Sequence, residues 1–271
     1  MQDKHAEIGH DHFLTEWAPG ELDLYLDRVA VSKRRLLKRL GLLSLTDRAV
    51  LDAGCGPGTF GIILAAQNRV QGIDISRRSV AVANRRARES GVHFAGLVAD
   101  LEGRLPFRDH TFDVCFAGWV LHHFPEADPL IRELKRVLKP DGILALAEPN
   151  EANIAQRFSR FLEDRFQKIV VATSLDTPSR RVHTHDTYAA ALREHGFRDV
   201  RVSSCYPGEI PVLPRSKNQE LGLLGTSAVR LVLAARHLLF ALSERVLPRP
   251  LNGTALLITA RRDGRGEPVR R

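Results

Sequence analysis

Residues 50–61 read Val50-Leu51-Asp52-Ala53-Gly54-Cys55-Gly56-Pro57-Gly58-Thr59-Phe60-Gly61, and this stretch decides the fold. An apolar run ends on an acidic residue and breaks into alternating glycines. Apolar residues then resume at helical spacing through Ile62, Ile63 and Ala66. The order describes a buried strand, a tight loop and a helix, which receives nucleotide-like ligands at the carboxyl edge of a parallel sheet. Glycines at 54, 56 and 58 permit positive φ and a close approach of backbone to ligand. The spacing is G-x-G-x-G, with Thr59 where a dinucleotide fingerprint places its third glycine.

Working outward, Arg69–Ile75 reads as the next strand, with Asp74 at its end. A carboxylate there can accept hydrogen bonds from both hydroxyls of a ribose, and it repels a 2′-phosphate. Val98-Ala99-Asp100 closes a third short strand and offers an acceptor to an exocyclic adenine amine. Three acidic residues at successive strand ends suit an adenosine with a cationic tail better than a pyrophosphate, which calls for bare amides or cations.

With these residues in place, the chain resembles the class I S-adenosylmethionine-dependent methyltransferases of small-molecule type. The resemblance rests on Val50–Gly61, Gly72–Ile75, Val98–Asp100, Phe112–Phe124 (FDVCFAGWVLHHF) and Leu138–Asn150 (LKPDGILALAEPN), in the family's order. Gly196–Val202 and Gly253–Arg262 match more weakly. It implies an α/β, Rossmann-like, seven-stranded, mostly parallel sheet with helices on both faces and a helical cap or insert. It also implies S-adenosylmethionine as co-substrate. Gly54, Cys55, Gly56 and Gly58 would pass beneath its methionine and ribose portions, and Asp52 would orient the loop or meet the amino group. Asp74 would hold the ribose, Ile75 would pack on adenine, Asp100 and Leu101 would read its edge, and the backbone near Ala117 would face the methionine amine.

On the acceptor side, a hydroxyl must lose its proton, and a histidine can take it. His122 and His123 follow the fourth strand at the mouth where substrate should sit, with a structural role as the competing reading. Glu148, ending the fifth strand, would bind substrate or fix the adjacent turn. Trp119, Phe158 and Phe161 are expected in the core or as an apolar substrate wall, Tyr25 as a packed aromatic or a cofactor contact, and His183 and His185 as solvated loop residues or a cover for the pocket. Methyl transfer needs no metal, and none is expected; His5, His10, Asp11 and His12 read as an exposed segment rather than a metal cluster.

Bulk composition narrows the rest. At 271 residues and 44% hydrophobic, one large core is affordable. The domains read as an N-terminal helical arm or cap over 1–45, a methyltransferase domain over 46–262 with a helical insert at about 206–250, and a disordered basic tail over 263–271. The amino terminus lacks a secretory apolar stretch, and three scattered cysteines suit a reducing cytoplasm. The net charge of +8 invites a nucleic-acid reading. Against it, base-amine methyltransferases carry an (Asn/Asp/Ser)-Pro-Pro-aromatic loop where this chain has Ala117-Gly118-Trp119-Val120, and Cys115 lies inside an apolar strand rather than as a nucleophile.

The pattern predicts strands at 49–53, 69–74, 93–98, 112–116 and 142–148, alternating with helices at 58–67, 77–90 and 127–138. Helices are also expected at 21–43, 151–171 and 219–247, with a further one capped by Thr184 or Asp186, and strands near 198–204 and 254–260 closing the sheet as an antiparallel hairpin. Residues 138–142 read as a helix stop and turn. In 219–247, Ser227, Arg230, His237 and Glu244 share one side and Leu231, Leu238, Leu242 and Val246 the other, which suits a lid, a homodimer surface or peripheral contact with lipid but not a membrane span. The function expected is O-methylation of a small metabolite. The alternatives are methylation of a lipid-linked or isoprenoid acceptor at a membrane face, and a non-catalytic S-adenosylmethionine-binding or nucleic-acid-associated module.

Overall fold

The computed structural model describes residues 14, 17, 18, 20–150, 152, 153, 157, 184–208, 215–248 and 252–264. Seven strands form one sheet: β1 (Ala49–Ala53), β2 (Arg69–Asp74), β3 (Phe94–Val98), β4 (Phe112–Gly118), β5 (Leu138–Pro149), β6 (Phe197–Cys205) and β7 (Ala255–Arg262). Their order is β3-β2-β1-β4-β5-β7-β6. Neighbours from β3 across to β5 pair in parallel, whereas β7 runs antiparallel to both β5 and β6. The sheet is therefore Rossmann-like and mostly parallel, as the resemblance implied. Chain order reverses between β1 and β4, so the crevice for a ligand opens at their carboxyl ends.

Helices cover both faces: α1 (Glu21–Arg39), α2 (Thr59–Ala65), α3 (Arg77–Ser90), α4 (Asp128–Val137), α5 (His185–Glu194) and α6 (Arg215–Val246). Successive residues of a strand point to opposite faces, so β1 feeds two cores. Leu51 and Ala53 join Ile131, Leu134 and Leu192 on one side. Val50 joins Leu36, Leu37, Phe60 and Leu64 on the other. Burial on both faces explains why β1, β4 and β5 are apolar runs rather than alternating ones.

The helix boundaries follow local chemistry. Ser76 caps α3 by accepting from the Ser79 N–H at 3.0 Å, and Gly91 ends that helix in the left-handed region. Thr184, not Asp186, caps α5, in a capping box with Thr187. The helix expected over 21–43 stops at Arg39, because Gly41 turns the chain at φ +76° into a short 3-10 turn at Leu42–Ser44.

The turn expected at 138–142 is absorbed into β5 as a bulge. The register with β4 jumps between Phe112 and Val114, and Asp141 takes φ +60°. The expected helix at 151–171, the segment His5–His12 and the tail from 265 onward lie outside the described residues.

The insert that carries α6 leaves the sheet after Cys205 and returns before Ala255, and both of these points sit at the carboxyl edge, where Ala255 pairs with Pro149 and with Cys205. A buried polar tether secures it there. The Ser204 hydroxyl donates to Asn252 Oδ1 at 2.6 Å, the Asn252 amide to the Glu244 carbonyl at 3.0 Å, and the Asn150 amide to the Gly253 carbonyl at 2.6 Å. Among the described residues, no helix is long and apolar enough to cross a membrane.

Candidate active site

The glycine loop is stitched to the end of β2. The N–H groups of Gly54 and Cys55 both donate to the Ile73 carbonyl, at 2.8 and 2.9 Å. The Asp74 carboxylate then accepts from the Gly56 N–H at 2.8 Å and the Ser76 N–H at 2.9 Å. A carboxylate has about four acceptor sites, so Asp74 keeps capacity for a further ligand while bracing the loop. It is half-buried at the sheet's carboxyl edge.

The glycines of the loop differ in what surrounds them. A Cβ on Gly54 (φ +72°) would lie 2.3 Å from Val120 Cγ2, and one on Gly58 (φ +80°) 2.8 Å from the Ala83 Cβ. Gly56 (φ +49°) is different, since a Cβ there would meet no protein atom within 4 Å. Its missing side chain leaves open space beside the Asp74 carboxylate, a cradle that fits the ribose and methionine portions of S-adenosylmethionine.

Asp52 is buried beneath this loop, and its Oδ2 has no hydrogen-bond partner. Burial first, and then the nearby Asp74 charge, push its pKa up to about 7, against a smaller opposing pull from the Gly61 N–H. Cys55 is buried too, and burial with the Asp52 and Asp74 charges raises its thiol pKa well above the ordinary range. It packs as a small inert filler, not a nucleophile. Farther along the edge, Ile75 is half-buried, Leu101 is buried, and Asp100 is exposed with Oδ1 accepting from the Glu102 N–H at 2.7 Å. Ala117 is fully buried in β4, paired with Ala53 and Leu146.

The chain after β4 is held by one residue. Glu148 is completely buried, and its carboxylate accepts from the Val120, Leu121 and His122 N–H groups at 3.0, 2.9 and 3.4 Å. It also pairs with His122 Nδ1 at 2.8 Å. Of the two roles open to it in the sequence, the geometry gives Glu148 the fixing of the turn. His122 is buried with it, whereas His123 is half-buried, its ring centroid 4.0 Å from that of His122. The three sequence-predicted acceptor-side residues therefore meet at one point above β4 and β5.

Trp119 begins this segment at φ +59°, a conformation costly for a bulky residue and concentrated at functional sites. Its N–H donates to the Ala147 carbonyl at 2.7 Å, its ring stacks on Phe60, and the Lys33 ammonium lies 3.6 Å from its centroid. Tyr25 stacks on Trp17 with centroids 4.5 Å apart, the packed role expected of it. His185 opens α5 beside Asp186 at 3.3 Å. His183, Phe158 and Phe161 lie outside the described residues. Among the described residues, no three His, Cys, Asp or Glu side chains are grouped to hold a metal.

Sequence reasoning missed one cation. Arg86 of α3 is buried, donating to Asp27 of α1 at 3.1 Å and to the Pro57 carbonyl of the glycine loop at 3.4 Å. It couples the N-terminal helix to the cradle. The run Arg85-Arg86 on α3 facing Asp23 and Asp27 on α1 was the available signal, hidden among many other surface arginines.

Comparison with known proteins agrees with this fold. Residues 51–146 match the family model described as a methyltransferase domain. The chain is 37% identical over 173 residues to 27-O-demethylrifamycin SV methyltransferase of Amycolatopsis mediterranei, covering 60% of this chain and 59% of that protein. To demethylmenaquinone methyltransferase of Geobacillus stearothermophilus it is 27% identical over 170 residues, covering 57% of this chain and 73% of that one. The chain thus spans under two thirds of the first of these, and 46% of the Listeria demethylmenaquinone methyltransferases that it also matches. In fold it resembles Haemonchus contortus phosphoethanolamine N-methyltransferase 2 in complex with S-adenosyl-L-methionine. That likeness has a TM-score of 0.59 at 18% identity, over 85% of this chain and 52% of the other.

Proposed function

We propose that this chain, whose residues 51–146 match the methyltransferase-domain model, transfers a methyl group from S-adenosylmethionine to a small-molecule acceptor, at an oxygen. The observation that supports this best is the open cradle at Gly56 beside the half-buried carboxylate of Asp74. When bound, the co-substrate supplies an electrophilic methyl carbon on a sulfonium, whose positive charge is lost as the neutral thioether departs.

The residues of this chain do the rest by placement. Asp74 accepts from the ribose hydroxyls while its bonds to Gly56 and Ser76 keep the loop in shape. Gly54, Cys55, Gly56 and Gly58 line the floor, and Asp52 stiffens it from beneath. Ile75 and Leu101 flank the adenine, Asp100 reads its amine, and the backbone at Ala117 faces the methionine amine. Glu148 and His122 act as positioning residues, locking the segment after β4. His123, half-exposed at its end, takes the proton that an acceptor hydroxyl gives up as its oxygen bonds to the methyl carbon. The two named relatives act, by their names, on 27-O-demethylrifamycin SV and on demethylmenaquinone. Both are small organic acceptors, which favours a metabolite over a nucleic acid here.

We read the chain as a methyltransferase domain over 46–262 with an N-terminal helical arm or cap over 1–45, a helical insert at about 206–250 and a basic tail over 263–271, working in the cytoplasm or at a membrane face. The test is turnover of methyl-labelled S-adenosylmethionine on a metabolite extract, with products found by mass spectrometry. Label should pass to an oxygen of a small molecule. Donor bound tightly with no label transferred to any acceptor would instead identify a non-catalytic cofactor-binding module.

A further inference from the structure

α6 is amphipathic, and its inward side is mixed. Leu233 is buried there together with polar residues. His237 pairs with the Tyr206 hydroxyl, Glu244 with Arg39 at 3.1 Å, and the Ser243 hydroxyl donates to the Phe240 and Asn252 carbonyls at 2.8 and 3.2 Å. Six aliphatic residues turn outward. Leu231, Val232, Leu238, Leu239, Leu242 and Val246 are all exposed, Leu231 by 72% and Val246 by 77%. On a helical wheel these six fill one arc of about 120°. Isolated exposed leucines need no explanation, but a continuous stripe marks a contact surface.

Three observations identify what covers it. First, the stripe is purely aliphatic, whereas protein–protein anchors are enriched in Trp, Tyr and Arg. Second, exposed Arg230 and Arg245 flank it on a chain of net charge +8, which attracts an anionic surface and opposes the stacking of two copies. Third, the helix is too interrupted to cross a bilayer, which leaves the in-plane mode open to it. The tether through Ser204, Asn252 and Asn150 fixes the C-terminal end of α6 at the carboxyl edge of the sheet, where Glu148 also ends its strand.

We propose that the outward face of α6 lies in the plane of an anionic lipid surface, so that the sheet's carboxyl edge takes an apolar acceptor carried by the membrane. The docking stands on the helix alone; the acceptor class rests on the methyl-transfer reading.

The test uses the full chain in flotation with vesicles of phosphatidylcholine, alone or mixed with phosphatidylglycerol. The chain should float with the mixed vesicles, and raised salt should weaken this. The double variant Leu231→Glu/Leu238→Glu should bind at least about tenfold more weakly, while Arg230→Gln/Arg245→Gln should lose only the preference for phosphatidylglycerol. Calorimetric titration with S-adenosylmethionine, unchanged in both variants, confirms that they are folded. No flotation by the wild type, or equal flotation by the leucine variant, overturns the docking. So does a concentration-dependent dimer lost in that variant without vesicle binding, which would give the stripe to a second copy. Flotation intact with transfer only to water-soluble acceptors overturns the acceptor class and leaves the docking standing.

Discussion

Two glycines on either side of Cys55 should respond to the same substitution in opposite ways. Gly54→Ala puts a methyl group 2.3 Å from Val120 Cγ2, on a residue held at φ +72°. Overpacking costs about 1–3 kcal/mol, and a left-handed non-glycine residue about 1–2 more. The sum, roughly 2–5 kcal/mol, lowers the melting temperature by about 4–20 °C at ~2–4 °C per kcal/mol. Gly56→Ala incurs only the backbone cost, since its Cβ meets nothing within 4 Å. Its melting temperature should fall by only about 2–8 °C. The added methyl group does, however, enter the space assigned to the donor. A clash of about 1–3 kcal/mol there weakens S-adenosylmethionine binding by about fivefold to about 150-fold. Differential scanning fluorimetry and calorimetric titration of both variants read the two quantities separately. Wild-type donor affinity in Gly56→Ala would refute the assignment of the cradle, whatever its effect on stability.

Other consequences follow from single side chains. Asp52 has its folded pKa raised to about 7 from 3.8, so its contribution to stability is intact below about pH 4 and is lost as pH rises toward 7. Asp52→Asn should therefore gain on the wild type between pH 5 and pH 8 in urea unfolding, by up to about 4 kcal/mol; a constant difference across that range would contradict the buried neutral acid. Glu148→Gln keeps one amide oxygen to accept from the Val120 and Leu121 N–H groups but turns its N–H2 toward the His122 N–H, and should cost about 1–3 kcal/mol. Unfolding midpoints unchanged from wild type would remove its role in holding the turn. His123→Ala should leave stability within about 1 kcal/mol and lower turnover by about a hundredfold or more, whereas His122→Ala should lower the unfolding midpoint first. Equal activity loss in both with equal destabilisation would make the pair purely structural.

The sheet was legible because its signals are local. The alternation of apolar strands and amphipathic helices, with Gly54, Gly56 and Asp74 at strand ends, depends on neighbours in sequence, and parallel order follows from it. β5 was read as starting four residues late because Pro140 and Gly142 announce a turn, and nothing local shows that β4 will accommodate a bulge opposite Phe112. Glu148 has its partners 26–28 residues away in the segment after β4, so its role was visible only once the two strands lay side by side. The sidedness of α6 was readable from the wheel but its direction was not. Which side faces the body is decided by Tyr206, Arg39 and Asn252, none of them on the helix. Arg86 shows the same limit, since a buried cation with two acidic partners looks in sequence like any other arginine.

The central claim is that the rim formed by Gly56 and Asp74 binds S-adenosylmethionine, and titration calorimetry of the wild type beside Asp74→Ala tests it most directly. The account predicts one donor molecule per chain, with affinity reduced about a hundredfold or more in the variant through the loss of two charge-assisted hydrogen bonds worth about 1.5–3 kcal/mol each. No heat of binding in the wild type, or the same affinity in both proteins, would contradict it.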